Sequence, residues 1–263
     1  MTRLVRYLTP GVAALAMSSA LLVAPAAPAS AALITAPTVV STWAQRLEAG
    51  YNAYQRHCSA PKAANTSVVG AKLTLQIKKQ TSAAEKAAAQ AAGCNKKLVK
   101  AGRVYSNAMV STQNLWTVKA GVTTPTVVEA KIKFAAAKGM HGGVWLQSLG
   151  GPEIDMIESY GTRITHVHHY GGTTKNYGYK SIKKKSSWYK KAHTFRVEFT
   201  TSQIKYYIDG KLTNKASASL PADTEYFLVA SLLSSDWEVK KIKNSKLSKS
   251  KMTVYSVSVT PGS

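Results

Sequence analysis

Glu153-Ile154-Asp155-Met156-Ile157-Glu158 is the stretch on which the reading of this 263-residue chain turns. The sequence holds only 12 acidic residues against 35 Lys and Arg, yet three acids fall within these six positions. The apolar residues between them suit a strand packed on one side rather than a solvated acidic edge. Strand side chains alternate faces, so Glu153 and Asp155 share a face while Glu158 falls on the other. A one-residue β-bulge near Met156-Ile157 restores the parity and turns all three acids to one surface. Carboxylates held close split their pKa values, so that one keeps its proton while another is ionised. That division of labour is what acid/base and nucleophilic work on a glycosidic bond requires. A calcium site competes for the same acids, but no Asp/Asn-rich loop adjoins them to complete an oxygen shell.

Outward from this stretch the pattern is almost all strand from residue 104 on. Val104 to Thr112, Val127 to Phe134, Gly143 to Leu149, Glu153 to Ser159 and Arg163 to His169 each read as strands. Phe195 to Thr200, Gln203 to Ile208, Tyr226 to Leu233 and Met252 to Thr260 continue the series, with a turn at Asp209-Gly210-Lys211. Val69 to Lys78 alternates as a half-buried strand, and Ser82 to Ala92 is an Ala-rich short helix. Many short strands predict an all-β sandwich or jelly roll of two antiparallel sheets. No linker interrupts residues 32–263, which are expected to form a single domain. Lys180 to Lys191 and Lys240 to Lys251 lack helical periodicity and are expected as solvated loops, with holding an anionic chain as the alternative.

The beginning of the chain sets the expected compartment. Arg3 and Arg6, an apolar run from Val12 to Val23, and the small-residue site Ala29-Ser30-Ala31 make residues 1–31 a secretory signal. The protein is therefore expected outside the cell, without a membrane span. In that compartment Cys58 and Cys94, the only cysteines, are expected as one disulfide rather than two buried thiols. Losing Arg3 and Arg6 lowers the net charge from +23 to +21. Such a surface attracts an anionic glycan or a cell envelope, or reflects general solubility, and composition does not separate these.

The acid stretch resembles the Glu-x-Asp-x-x-Glu signature of glycoside hydrolase family 16, the laminarinase-like and related endo-glycanases. The resemblance extends to Val128–Phe134 (VEAKIKF), Gly139–Leu146 (GMHGGVWL), His168–Gly172 (HHYGG), His193–Phe199 (HTFRVEF) and Ile204–Lys211 (IKYYIDGK). It covers residues 104 to 259 well and 40 to 100 more weakly. It implies a concanavalin-like β-jelly roll and a retaining mechanism, with Glu153 as nucleophile and Glu158 as general acid/base. Asp155 would keep the nucleophile's hydrogen bonding and charge in order. The default substrate it implies is a β-1,3- or mixed-linked glucan, with no catalytic cofactor; a structural calcium is compatible with it. The sequence departs from the family at His141, which is often an aromatic, at Gly142 and Gly143, and at Ser234-Ser235-Asp236-Trp237.

Trp145 and Trp237 are the candidate sugar-stacking rings, whereas Trp116 and Trp43 fit core packing better. His169 is a candidate to bond substrate or the carboxylates. His166 and His168 lack a third ligand at metal spacing, so no metal site is expected, and no nucleophile elbow is present. The expected partner is a polysaccharide, not nucleic acid. The alternative to an endo-glycosidase with some transglycosylase activity is a non-catalytic, lectin-like jelly roll for an anionic glycan. A polyanion binder using only its lysines is a more distant reading.

Overall fold

A computed structural model describes residues 31–45, 58–137, 139–149, 151–170, 176–234 and 250–263. The leader expected at 1–31 lies, apart from Ala31, outside the described residues, as do Trp237 and nearly all of the 240–251 stretch. Among the described residues no helix is long and apolar enough to cross a membrane.

Strands β1 (Thr66–Val69) and β2 (Lys72–Gln76) precede helices α1 (Ala83–Ala91) and α2 (Lys96–Lys100). Then come β3 (Tyr105–Ser111), β4 (Trp116–Lys119), β5 (Thr126–Lys133), β6 (Met140–Ser148), β7 (Glu153–Ser159), β8 (Arg163–His169) and β9 (Asn176–Lys183). The series ends with β10 (His193–Phe199), β11 (Gln203–Ile208), β12 (Lys211–Ser217), β13 (Glu225–Ser234) and β14 (Lys251–Thr260). One sheet runs β4-β13-β6-β7-β8-β9, with β3 also pairing β13. The other runs β12-β11-β10-β5-β14-β2-β1. The main strands pair antiparallel, and the jelly-roll sandwich expected from the strand pattern is what forms.

Side-chain alternation decides which face of each sheet is dry. In β5, Thr126, Val128, Ala130 and Ile132 are buried while Val127, Glu129, Lys131 and Lys133 face outward. Their inner faces meet Ile154, Met156, Ile157 and Ile164 of the other sheet in the main core. Trp116 is buried there and Trp43 packs against it, as their sequence contexts suggest. The β11–β12 hairpin closes on Asp209 and Gly210 with φ of 51° and 76°, the positive-φ pair that a two-residue turn needs.

Two expectations are corrected and one strand is added. Val69 to Lys78 is not one strand: Gly70 at φ 56° turns the chain between β1 and β2, and Lys78 pairs separately with Ser106 of β3. Lys180 to Lys183 belongs to β9, at the edge of its sheet, where lysines are tolerated because one side of the ladder faces solvent. Trp116–Lys119 forms a strand too short to stand out by pattern.

The helix at α1 is capped by Ser82, whose Oγ accepts from the Glu85 amide at 3.2 Å and donates to the Glu85 carboxylate at 2.9 Å. It sits in the loop closed by the Cys58–Cys94 disulfide, whose Cα atoms are 5.2 Å apart across a separation of 36 residues. Cutting this bridge, by reduction or by Cys58→Ser with Cys94→Ser, is expected to cost about 3–4 kcal/mol from loop entropy. Urea unfolding of the paired proteins measures it.

Candidate active site

The three acids lie on the face of β7 turned away from the sandwich core, and the ladder shows how. Asp155 pairs with Val167 and Glu158 with Thr165, three steps along β7 for two along β8. On the other side Ile154 faces Leu146 and Ile157 faces Val144, again three for two. The extra residue falls at Met156-Ile157, where the parity argument requires it. Gln147 and Gly143 of β6 stand beside Glu153 and Glu158, and His169 and Thr165 of β8 complete the row.

A bulge frees a backbone carbonyl from the ladder, and a buried carbonyl needs another donor. His166, wholly buried on the core side of β8, supplies it: Nδ1 lies 2.7 Å from the Met156 carbonyl oxygen. The ring stacks on Tyr206 at 4.9 Å and its Nε2 lies 3.0 Å from the Thr213 hydroxyl. Burial pushes the His166 pKa down to about 4. The neutral ring therefore spends its one N–H on the bulge. His166 is thus not a ligand but a backbone clamp, a role that sequence spacing does not signal.

On the outer face the acids divide into two groups. His169 Nε2 lies 3.0 Å from Asp155 Oδ2 and 3.9 Å from Glu153 Oε1. Burial, then the charge of Asp155, pushes the Glu153 carboxyl up to about 8. Burial and then the charge of Glu158 raise Asp155 well above the carboxylate range. This pair holds a proton at neutral pH. Glu158 goes the other way: burial would raise it, but hydrogen bonds from His141, Thr165 and Tyr160 hold it below the ordinary glutamate value. His141 Nε2 and the Tyr160 hydroxyl lie 2.6 and 3.0 Å from Oε1, and the Thr165 hydroxyl donates to Oε2 at 2.9 Å.

Ligand atoms of Glu153, Asp155 and His169 lie within 4.8 Å of one another, the donor types a cation accepts. They are one donor short of a closed tetrahedral set, and His169 lies between the two carboxylates. Trp145 shares the acids' face but is only 6 % exposed. It packs with Met109, Phe227, Val229 and Leu233 into a second apolar cluster, its Nε1 donating to Ser231 Oγ at 3.4 Å. The structure therefore gathers Glu153, Asp155, Glu158, Trp145 and His169, and adds His141, Tyr160 and Thr165. His141 was legible only as a departure at that position. Tyr160 and Thr165 carry no signal of their own, because both reach Glu158 only through the bulge.

His166→Phe keeps the ring but strands the Met156 carbonyl, and is expected to destabilise by about 1–3 kcal/mol in urea unfolding. The raised Glu153 carboxyl also has a stability consequence. Between its ordinary 4.5 and about 8 the folded state holds more protons than the unfolded one, so stability falls as pH rises through that window. With Glu153 side chain 30 % exposed, Glu153→Gln is expected to recover roughly 2–4 kcal/mol near the top of the window and nothing at its foot. Thermal unfolding of both proteins across the window measures the difference.

Among curated protein sequences, none matches this chain. Among solved structures, the laminarinase catalytic domain of Thermotoga maritima superposes with a TM-score of 0.65 at 15% identity, covering 85% of this chain and 92% of that one. The endo-β-1,3-glucanase of Pyrococcus furiosus gives 0.64 at 18%, covering 86% and 91%. The laminarinase of Rhodothermus marinus gives 0.63 at 15%, covering 84% and 90%. At such identities these likenesses speak for the shared fold. The model of the glycosyl hydrolases family 16 matches residues 57–247. That match runs through the bulged strand and both of its neighbours, and by it the chain is a glycosyl hydrolase belonging to family 16.

Proposed function

We propose that the protein is a secreted, endo-acting, retaining glycosidase that cleaves β-glycosidic bonds within a polysaccharide. The observation that carries this reading is the bulge in β7, which brings Glu158 onto the face of Glu153 and Asp155 and gives the two glutamates opposite electrostatic surroundings. A β-1,3- or mixed-linked glucan is the substrate favoured by the family and by the laminarinases and glucanase that share the fold. The basic, apolar start of the chain supports secretion.

In the first step the Glu153 carboxylate attacks the anomeric carbon. The glycosidic C–O bond breaks as Glu158 passes its proton to the leaving oxygen. In the second, water attacks the glycosyl-enzyme, its proton returns to Glu158, and the ester bond to Glu153 breaks. Asp155 takes the proton of its pair so that Glu153 faces the sugar as an anion, with His169 steadying Asp155. The apolar cluster around Trp145 floors the adjoining stretch of the face, where a pyranose ring is expected to rest.

This assignment fixes the pH dependence. At rest the site carries one proton on the Glu153–Asp155 pair and an ionised Glu158. The productive form carries a proton on Asp155 and another on Glu158, one more in all. Hydrolysis is therefore expected to slow as pH rises toward neutral and beyond.

The test is reducing-end release from laminarin and a mixed-linked glucan, with the product anomer followed by NMR. Glu153→Gln is expected to abolish turnover, and Glu158→Gln to lower it by about 10²–10⁴ on polymer. Retained configuration at the anomeric carbon supports the mechanism and inversion overturns it. Glycan binding without turnover by the unaltered protein would favour the lectin-like alternative.

A further inference from the structure

Glu158 is held by a device that the two-step mechanism leaves unused. His141 stands on β6 two residues before Gly143, the residue directly opposite Glu158. With no side chain at Gly143, the glutamate reaches across to the imidazole, and the two side chains are each only 15 % exposed. The ring lies flat on Tyr160, centroids 4.6 Å apart and planes 22° from parallel, so its edge is aimed. Tyr160 is itself backed by the Arg163 guanidinium, 5.0 Å from its ring centroid.

The other ring nitrogen decides which way the proton points. His141 Nδ1 is buried and has no hydrogen-bond partner among the described residues. A proton there would be a buried N–H without an acceptor, stripped of water and repaid by no bond. A proton on Nε2 avoids this, and it points at Glu158 Oε1. With Tyr160 on the same oxygen and Thr165 on the other, the carboxyl meets three donors, an arrangement that suits its ionised form.

We propose that His141 is the positioning residue of the acid/base: its Nε2–H, aimed by the stack on Tyr160, orients the Glu158 carboxyl and governs how readily that group gives up and retakes the catalytic proton. This rests on Glu158 being the acid/base. The hydrogen bond makes Glu158 a stronger acid toward the leaving oxygen, but one that holds its proton only at lower pH. After glycosyl transfer it keeps the carboxylate aligned to accept the proton of the attacking water. The other charged or titratable groups facing this spot are Glu153 and Asp155 on β7, Tyr160 after it, His169 and Arg163 on β8, and Lys183, which pairs with Arg163 from β9. None of these residues is replaced in the His141 variants, and His141→Phe keeps the stack on Tyr160. Across β6 the residue opposite His141 is Leu233, which is apolar.

The test compares His141→Phe, which keeps the ring stack and loses the N–H, with His141→Gln, which restores an N–H donor. Each is assayed for kcat/KM against pH on laminarin and on a dinitrophenyl β-glucoside oligomer, whose leaving group needs no proton. In His141→Phe the alkaline limb on laminarin is expected to move up by about one pH unit, the size of one lost hydrogen bond to a charged group. The glutamine variant returns it toward its original place. On the dinitrophenyl substrate no such shift is expected. A uniform loss of rate at every pH, equal on both substrates and not rescued by glutamine, would mean that His141 only packs, and would overturn the proposal. Absence of turnover by the unaltered protein on both substrates would instead remove the glycosidase reading beneath it.

Discussion

The hydrogen bond from His166 to the carbonyl of Met156 holds the irregularity on which the site depends. Without the bulge in β7, regular alternation would point Glu158 into the apolar core beside Ile154 and Met156, where an uncompensated carboxylate is not tolerated. With it, Glu158 emerges among three donors. The clamp works because it lies on the dry side of the sheet. There water cannot compete for the freed carbonyl, and burial keeps the imidazole neutral with a single proton to give.

The two sheets are dry to different extents, and this shapes the catalytic face. Strands such as β5 and β11 alternate cleanly, because their outer faces meet solvent. Strand β13 is buried at all but its first residue, since the main core lies under it and the Trp145 cluster over it. The acids thus sit at the border between an apolar patch and a row of polar β8 side chains. That border is a setting of low dielectric with donors at hand, where two glutamates of one strand can be driven in opposite directions. Burial raises Glu153 and Asp155 and would raise Glu158 as well. Only the donors supplied by β6, β8 and the turn after β7 reverse it.

Much of this was legible in the residues. Period-two alternation marked most of the large strands, Asp209-Gly210 marked a hairpin, and the lone cysteine pair marked its bridge. The parity of Glu153, Asp155 and Glu158 implied a bulge and located it to two residues. The lysines of β9 misled because their charge suggested a loop, while pairing to β8 through the backbone requires nothing of their side chains. Trp145 was legible as a residue of the catalytic face but not as a nearly buried one, since its covering neighbours come from β3 and β13, far away in sequence.

The sequence by itself determined the layered all-β architecture, the acid triplet and the need for a bulge between its members. These follow from local rules, namely side-chain alternation and the placement of charge, that act over a few residues. The tertiary structure alone decided which carboxyls share a proton and which one is held ionised. It also decided that His166 faces the core while His141 and His169 face the acids. Those outcomes depend on distances between strands brought together by the fold, and on how much water each group loses there, quantities that no single segment of the chain contains.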